Sequence, residues 1–307
     1  MRPGWLRIGR AQIASVLLAC VLLGVVAVWS NAFGVSDRLH GIAHRIELLV
    51  DPPPDRPIAD IVRITPRPTS AATVAPSTGA LPSGSVAPGE SPAPPAPPAP
   101  QRVSVDVNLL KNPAKAFISE QYDHTWCAVA GTQMVLGMWG KAPLTLPFQK
   151  ELASRIGEWE SRRDSLNGGW GPAAMVAALK AYGVPGYEVR AYDTRADALF
   201  DAAKAIEKLH APVLLLAWRG AHTWVMTGFR ADADPLAFDD AKVRGTYILD
   251  PWYPLISKIW PRSLPPGAYH NLDVMRVNYL RWKRPEGHYK DRDGLFIAVV
   301  PTQPLTR

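Results

Sequence analysis

The segment 121–131, which reads QYDHTWCAVAG, contains residues suited to nucleophilic chemistry. Cys127 stands where an irregular stretch gives way to an apolar helical pattern, and the positive end of a helix dipole lowers the pKa of a thiol placed there. Because the thiolate is the reactive form, this position predicts a cysteine nucleophile. Gln121 precedes Cys127 by six residues and could place its side-chain amide beside the Cys127 backbone N–H, forming an oxyanion hole.

A lone cysteine is more commonly a small buried apolar residue, so a nucleophile also needs a base and a group that orients the base. His222 begins an apolar strand after the turn 219–221, which would place its ring at the end of a sheet. Asp250 follows the strand pattern GTYIL, and from the end of a neighbouring strand its carboxylate can accept the imidazole N–H. His210 has an ordinary structural explanation, because it closes a helix beside the negative end of the dipole.

Hydrophobic periodicity predicts the elements that must position these residues. The predicted helices cover 126–139, 148–159, 171–182 and 195–209. The predicted strands cover 187–192, 212–218, 222–229, 245–249 and 295–300. Because the helices come mainly first and short turns join most of the strands, the order indicates an α+β domain with N-terminal helices packed on an antiparallel sheet.

The ordered set Gln121, Cys127, His222 and Asp250 resembles the papain-like cysteine peptidase superfamily, and within it the bacteriocin-processing (double-glycine) peptidase-like family. The similarity extends over about residues 117–256. It implies a papain-like fold in which Gln121 stabilises the oxyanion, Cys127 is the nucleophile, His222 the general base and Asp250 the orienting residue.

Three features depart from the pattern of this family. Ala128 stands where relatives often have Gly or Trp, and the charged insertion ADADPLAFDDAKVRG separates the strands that carry His222 and Asp250. The region 256–292 has no counterpart in the family.

The resemblance implies a thiol hydrolase that cleaves a peptide or amide bond, with a peptide or envelope protein as substrate and no cofactor or metal. A cell-wall peptidoglycan amidopeptidase and a transpeptidase use the same chemistry and are alternatives. A non-catalytic binding module on the same fold is a further alternative, in which tryptophans would line a groove. Those tryptophans are Trp218, Trp224, Trp252 and Trp260.

Composition and charge exclude several other classes of protein. The net charge is +7, and no run of Lys or Arg is interleaved with aromatic residues, so nucleic acid is not an expected partner. The chain has two cysteines, which excludes a disulfide framework and a metal site built on thiolates. Of the 31 prolines, 15 lie between residues 51 and 100, which indicates an extended, disordered linker.

Residues 11–29 contain no charged residue, follow three arginines and are long enough to span a bilayer. The positive-inside rule predicts a single-pass signal-anchor in the cell membrane, with the C-terminal domain outside the cytoplasm. The alternatives are a signal peptide cleaved near Ala32, which would release a secreted domain, and a lipoprotein modified at Cys20.

The predicted organisation has three parts. Residues 1–33 form the signal-anchor or transmembrane segment, 34–102 a stalk and Pro/Ala/Ser-rich disordered linker, and 103–307 the papain-like cysteine peptidase domain. This arrangement predicts that a protease added outside the cell removes the domain by cutting within 51–101.

Overall fold

The computed structural model describes residues 50, 52–67, 101–120, 125–165 and 170–304. Within these ranges it contains five α-helices and eight β-strands. The helices are α1 (Cys127–Met138), α2 (Leu146–Ser154), α3 (Pro172–Ala181), α4 (Arg195–Leu209) and α5 (Leu272–Asn278). The strands are β1 (Val62–Ile64), β2 (Val105–Asn108), β3 (Tyr187–Tyr192), β4 (Val213–Ala217), β5 (His222–Ala231), β6 (Val243–Leu249), β7 (Ala268–Asn271) and β8 (Phe296–Pro301).

All eight strands belong to one sheet in the order β1-β3-β8-β4-β5-β6-β7. β2 pairs with the far end of β5, beyond the part of β5 that pairs with β4. Each of these pairs is antiparallel except that between β1 and β3, which is parallel. The structure therefore confirms the predicted mixed α+β class and is compatible with a papain-like peptidase fold.

Helices cover both faces of the sheet. One core lies between the sheet and helices α1 to α3, and a second core contains α4 and Met275 of α5 on the opposite face. Strand β4 reads VLLLA and is buried at every position, because alternate side chains enter the two cores. This double coverage explains why the central strands carry apolar runs rather than an alternation with polar residues.

Gly131 allows helix α1 to pack unusually close to strand β5. A β-carbon at this position would lie 2.9 Å from Cγ2 of Thr223 and 3.2 Å from Leu214, which are closer than ordinary van der Waals contacts. Since Cys127 begins α1 and His222 begins β5, this close approach also sets the spacing between the two residues.

The predicted strands and helices are present, with small changes at their ends. The helix predicted over 148–159 is divided into α2 and a short 3₁₀ turn at Ile156–Glu158. The predictions missed β1, β2, β7 and α5, which are all short, so they span too few residues to display a period. The signal-anchor predicted over 11–29 lies outside the described residues, within which no helix is long and apolar enough to cross a membrane.

The segment 52–67, which the sequence assigned to the linker, lies on the folded domain. Strand β1 extends the sheet edge, and the neighbouring Ile61 packs against the core. The Asp55 carboxylate pairs with the guanidinium groups of Arg163 and Arg162, whose hydrogen bonds lower the pKa of Asp55 to about 2. A three-residue strand in a proline-rich setting carries too little pattern to be recognised from the sequence.

The described part of the domain therefore includes chain on both sides of residues 68–100, ending at Arg67 and resuming at Gln101. Arg67 forms a salt bridge with Asp197 at 3.1 Å, and its guanidinium packs over the ring of Phe200. The proline-rich stretch consequently joins two segments of the same domain, and does not separate the domain from residues 1–49.

If residues 11–29 anchor the chain in a membrane, as the sequence predicts, this connectivity predicts that a cut within 68–100 does not detach the domain from it. We expect a full chain carrying a specific protease site between Gly84 and Ser85 to stay membrane-bound after cleavage, because β1 and its ion pairs retain the N-terminal fragment. The matched control is a site between Val35 and Ser36, where cleavage should release the domain. Release of the domain after the cut at Gly84 would show that segment 52–67 does not hold the two fragments together.

Candidate active site

Three of the four residues singled out in the sequence meet at one end of the sheet. Cys127 is the first residue of α1, His222 the first residue of β5, and Asp250 directly follows β6. Because β5 and β6 are antiparallel neighbours with Val225 opposite Leu249, the start of one strand lies beside the end of the other. The fourth residue, Gln121, lies outside the described residues.

His222 and Asp250 form a short buried hydrogen bond. His222 Nε2 lies 2.7 Å from Asp250 Oδ1, and the two side chains are 2% and 1% exposed. Burial alone would raise the pKa of Asp250, but the charge and hydrogen bond of His222 outweigh it and the pKa lies below its usual value. The same Oδ1 atom accepts the Trp252 backbone N–H at 3.0 Å, which fixes the carboxylate in its turn.

The Cys127 thiol lies on the other side of the imidazole. Cys127 Sγ, a ring nitrogen of His222 and a carboxylate oxygen of Glu120 lie within 4.8 Å of one another. Since Nε2 is bonded to Asp250 and Nδ1 lies 3.9 Å from Glu120 Oε2, Nδ1 is the nitrogen directed to this group. The thiol lies 4.0 Å from the carbonyl oxygen of Ala221, to which it can donate.

The expectation of a lowered thiol pKa at Cys127 is wrong. Burial and, secondly, the negative charge of Glu120 raise the pKa of this thiol above its usual value. The backbone N–H groups of Thr223 and of Ala128, in the first turn of the helix, lower it but do not compensate. The N–H groups at the start of the helix therefore lower the thiol pKa, as predicted, but burial beside the Glu120 carboxylate raises it by more.

Glu120 is a residue of this site that the sequence analysis missed. Its side chain is fully buried, and its backbone N–H donates to the Pro251 carbonyl oxygen at 2.9 Å. The Ser119 hydroxyl donates to the same oxygen at 3.1 Å. The chain immediately before Gln121 is thus bonded to the turn that carries Asp250, a contact between distant segments that leaves no local signal in the sequence.

The turn before His222 has an unusual backbone held by aromatic packing. Trp218, Arg219 and Gly220 have φ angles of 51°, 63° and 87°, and such conformations cost non-glycine residues about 1–3 kcal/mol each. The Trp218 ring stacks on the His222 ring with centroids 4.0 Å apart, and its indole N–H donates to Asn278 Oδ1 at 2.8 Å.

The region 256–292 supports this turn from outside. Asn278 belongs to α5, Trp260 stacks on Trp218 with centroids 5.5 Å apart, and Trp282 packs on Gly220 so closely that a β-carbon there would clash. The region 256–292 therefore helps to hold the imidazole of His222 in place. Trp218 and Trp224 are buried, while Trp252 and Trp260 are partly exposed, so the four do not form a single open groove.

Residues 116–261 match the family model described as Peptidase_C39 like family. Over this segment the chain is similar to that family. The matched segment contains Cys127, His222 and Asp250, and the match supports a cysteine peptidase, as the sequence predicted. No curated protein and no solved structure matches the chain.

A second histidine is buried beside Trp224. His270 of β7 is 2% exposed and packs edge-on against Trp224, and neither of its ring nitrogens has a hydrogen-bond partner among the described residues. Burial lowers the pKa of His270 to about 4, although the charge of Asp250 acts in the opposite direction. His270 is consequently neutral in the folded protein at pH 7.

Acid should destabilise the fold through His270. Since the folded pKa of about 4 lies below the unfolded value near 6.5, stability is lost as the pH falls from 6.5 toward 4, by on the order of 2 kcal/mol at pH 5. His270→Phe keeps a ring against Trp224 and should remove this component, as measured by urea unfolding at pH 7.5 and pH 5. An equal loss of stability in the wild type and the variant would contradict the assignment.

Proposed function

We propose that the chain is a membrane-anchored, extracytoplasmic cysteine peptidase that hydrolyses a peptide or amide bond through Cys127, His222 and Asp250. The observation that carries the proposal is the buried 2.7 Å hydrogen bond between His222 Nε2 and Asp250, with the Cys127 thiol on the side of the other ring nitrogen, Nδ1. The match to the family model supports the class of reaction.

Acylation begins when the thiol sulfur attacks the carbonyl carbon of the substrate. The thiol proton passes to Nδ1 of His222, and the imidazolium that forms is stabilised by the Asp250 carboxylate at Nε2. Because the pKa of the resting thiol is raised, the proton transfer accompanies the attack and does not precede it. The tetrahedral intermediate then collapses as Nδ1–H protonates the leaving amine, which leaves a thioester on Cys127.

In deacylation a water molecule replaces the thiol as the attacking group. His222 Nδ1 accepts a proton from a water molecule, and the oxygen of that water attacks the thioester carbonyl carbon. Collapse of the second intermediate releases a carboxylic acid and returns the proton to the sulfur. Asp250 remains ionised throughout, consistent with its lowered pKa.

The oxyanion of both intermediates needs donors near the sulfur. The first N–H groups of a helix have no partner within the helix, which makes the Cys127 backbone N–H at the start of α1 one suitable donor. We assign Gln121 as the second donor. Its neighbour in sequence, Glu120, donates its backbone N–H to Pro251, the residue after Asp250, which supports the assignment.

Residues 11–29 would hold the domain at the outer surface of the membrane. With segment 52–67 packed on the domain, residues 30–51 alone separate the two, so the reach is at most about 80 Å. The substrate is therefore a peptide or protein close to the membrane surface rather than one distant in the envelope.

Replacing the nucleophile tests the chemistry. Cys127→Ala should reduce kcat/KM for peptide substrates about 1,000-fold or more, because a residual oxyanion hole cannot replace covalent catalysis. Cys20→Ala, in the predicted anchor, is the matched control and should leave kcat/KM unchanged. Retention of hydrolysis in Cys127→Ala would exclude Cys127 as the nucleophile. If the wild-type chain hydrolyses no peptide or amide, the result would favour the alternative of a non-catalytic binding module.

The orienting role of Asp250 predicts a graded response. Asp250→Asn should retain much of the activity, since an amide oxygen can also accept the imidazole N–H, whereas Asp250→Ala should lose about 10-fold or more in kcat. Thermal unfolding of both variants separates this role from a purely structural one, in which stability falls but kcat does not. Wild-type turnover by folded Asp250→Ala would overturn the assignment.

A further inference from the structure

Glu120, Cys127 and His222 form a donor set that the peptidase reaction does not need in full. Sulfur, imidazole nitrogen and carboxylate oxygen are the three ligand types that zinc takes from proteins. Cys127 is the single cysteine of the domain, which excludes a metal site built on several thiolates. It does not exclude a site with one thiolate and two other ligands. Glu120, Cys127 and His222 lie apart in the sequence, and the fold brings them together.

We propose that Glu120, Cys127 and His222 bind one zinc ion, which reversibly inhibits the peptidase. The binding itself is independent of the proposed function, and only the inhibition rests on it.

The distances suit a tetrahedral zinc ion after a small adjustment. Zinc lies about 2.3 Å from thiolate sulfur and about 2.0–2.2 Å from nitrogen or oxygen, which places tetrahedral ligand atoms about 3.4–3.6 Å apart. Glu120 Oε2 and His222 Nδ1 are already 3.9 Å apart, and all three donor atoms lie within 4.8 Å. Side-chain movements of about 1 Å or less close the set, and the fourth position remains open to water.

The hydrogen bond from His222 to Asp250 leaves Nδ1 of His222 able to bind a metal ion as well as a proton. With Nε2–H donated to the carboxylate at 2.7 Å, the lone pair of the neutral imidazole lies on Nδ1, on the side of Cys127 and Glu120. A carboxylate that orients the second nitrogen of a ligating histidine is the usual outer partner of zinc sites and increases metal affinity. This hydrogen bond is buried and therefore holds the ring fixed.

Zinc and substrate would compete for the same atoms. On binding, the thiol releases its proton to solvent and a Zn–S bond forms, while the lone pair of Nδ1 is donated to the metal. Both the nucleophile and the base are then occupied, so the zinc-bound protein cannot begin acylation. Removal of the metal by a chelator restores the thiol and the imidazole unchanged.

Cadmium titration of the reduced, metal-free full chain carrying Cys20→Ala, in which Cys127 is the one thiol, tests the site without any measurement of turnover. Cd²⁺ bound to thiolate gives an ultraviolet charge-transfer band, and we expect this band to saturate at one ion per chain and to be removed by Zn²⁺. Cys127→Ser should abolish the band. Glu120→Gln should weaken the affinity for Cd²⁺ about tenfold or more, as expected for loss of a ligand. Glu120→Asp keeps a carboxylate on a shorter side chain, so its affinity should lie between those of the wild type and Glu120→Gln.

Glu158→Gln is the matched control, because Glu158 is an exposed glutamate paired with Arg155 and should leave metal affinity unchanged. Circular dichroism checks that each variant is folded. Wild-type affinity in both folded Glu120 variants, or a band that persists in Cys127→Ser, would overturn the proposed site.

Inhibition is measured separately with a peptide substrate, and Zn²⁺ should inhibit the wild type at the concentrations that displace Cd²⁺. A chain that binds Cd²⁺ through Glu120 but hydrolyses nothing would refute the proposed function and leave the metal site standing. Hydrolysis that continues in the zinc-saturated chain would refute the inhibition.

Discussion

The close packing of helix α1 on strand β5 is the constraint on which the site depends. Gly131 provides the space, since any β-carbon there would meet Thr223 at 2.9 Å. Because the helix begins with Cys127 and the strand with His222, the separation of the two backbones determines whether sulfur and imidazole can meet. We expect a larger residue at position 131 to move Cys127 away from His222 while leaving both elements intact.

The second requirement is to keep a histidine and two carboxylates buried in a fixed arrangement. Burying charge is costly unless hydrogen bonds compensate, and Asp250 gains this compensation from His222 and from the Trp252 backbone. Trp218 packs over the imidazole in a backbone conformation that Asn278 and the C-terminal region stabilise. The domain thus includes elements well outside the matched family segment that serve to hold one imidazole ring.

Local pattern was enough to predict the α+β class, most of the helices and strands, and the positions of Cys127, His222 and Asp250. Each of these is encoded by apolar periodicity or by a residue at the end of an element. Glu120 was not predictable, because its role arises from contacts between segments distant in sequence. The lowered thiol pKa was predicted wrongly for the same reason, since burial beside Glu120 outweighs the helix terminus. Strand β1 was too short to show a period.

The central claim is that the Cys127 sulfur forms a covalent bond with the acyl part of a substrate. Rapid acid quenching during turnover of a peptide ester, followed by peptide mapping by mass spectrometry, tests it most directly. The account predicts one acyl group per chain, attached as a thioester at Cys127 and absent from Cys127→Ala. An acyl group on another residue, or turnover in which no acylated chain ever accumulates even with a slowly deacylating ester, would contradict it.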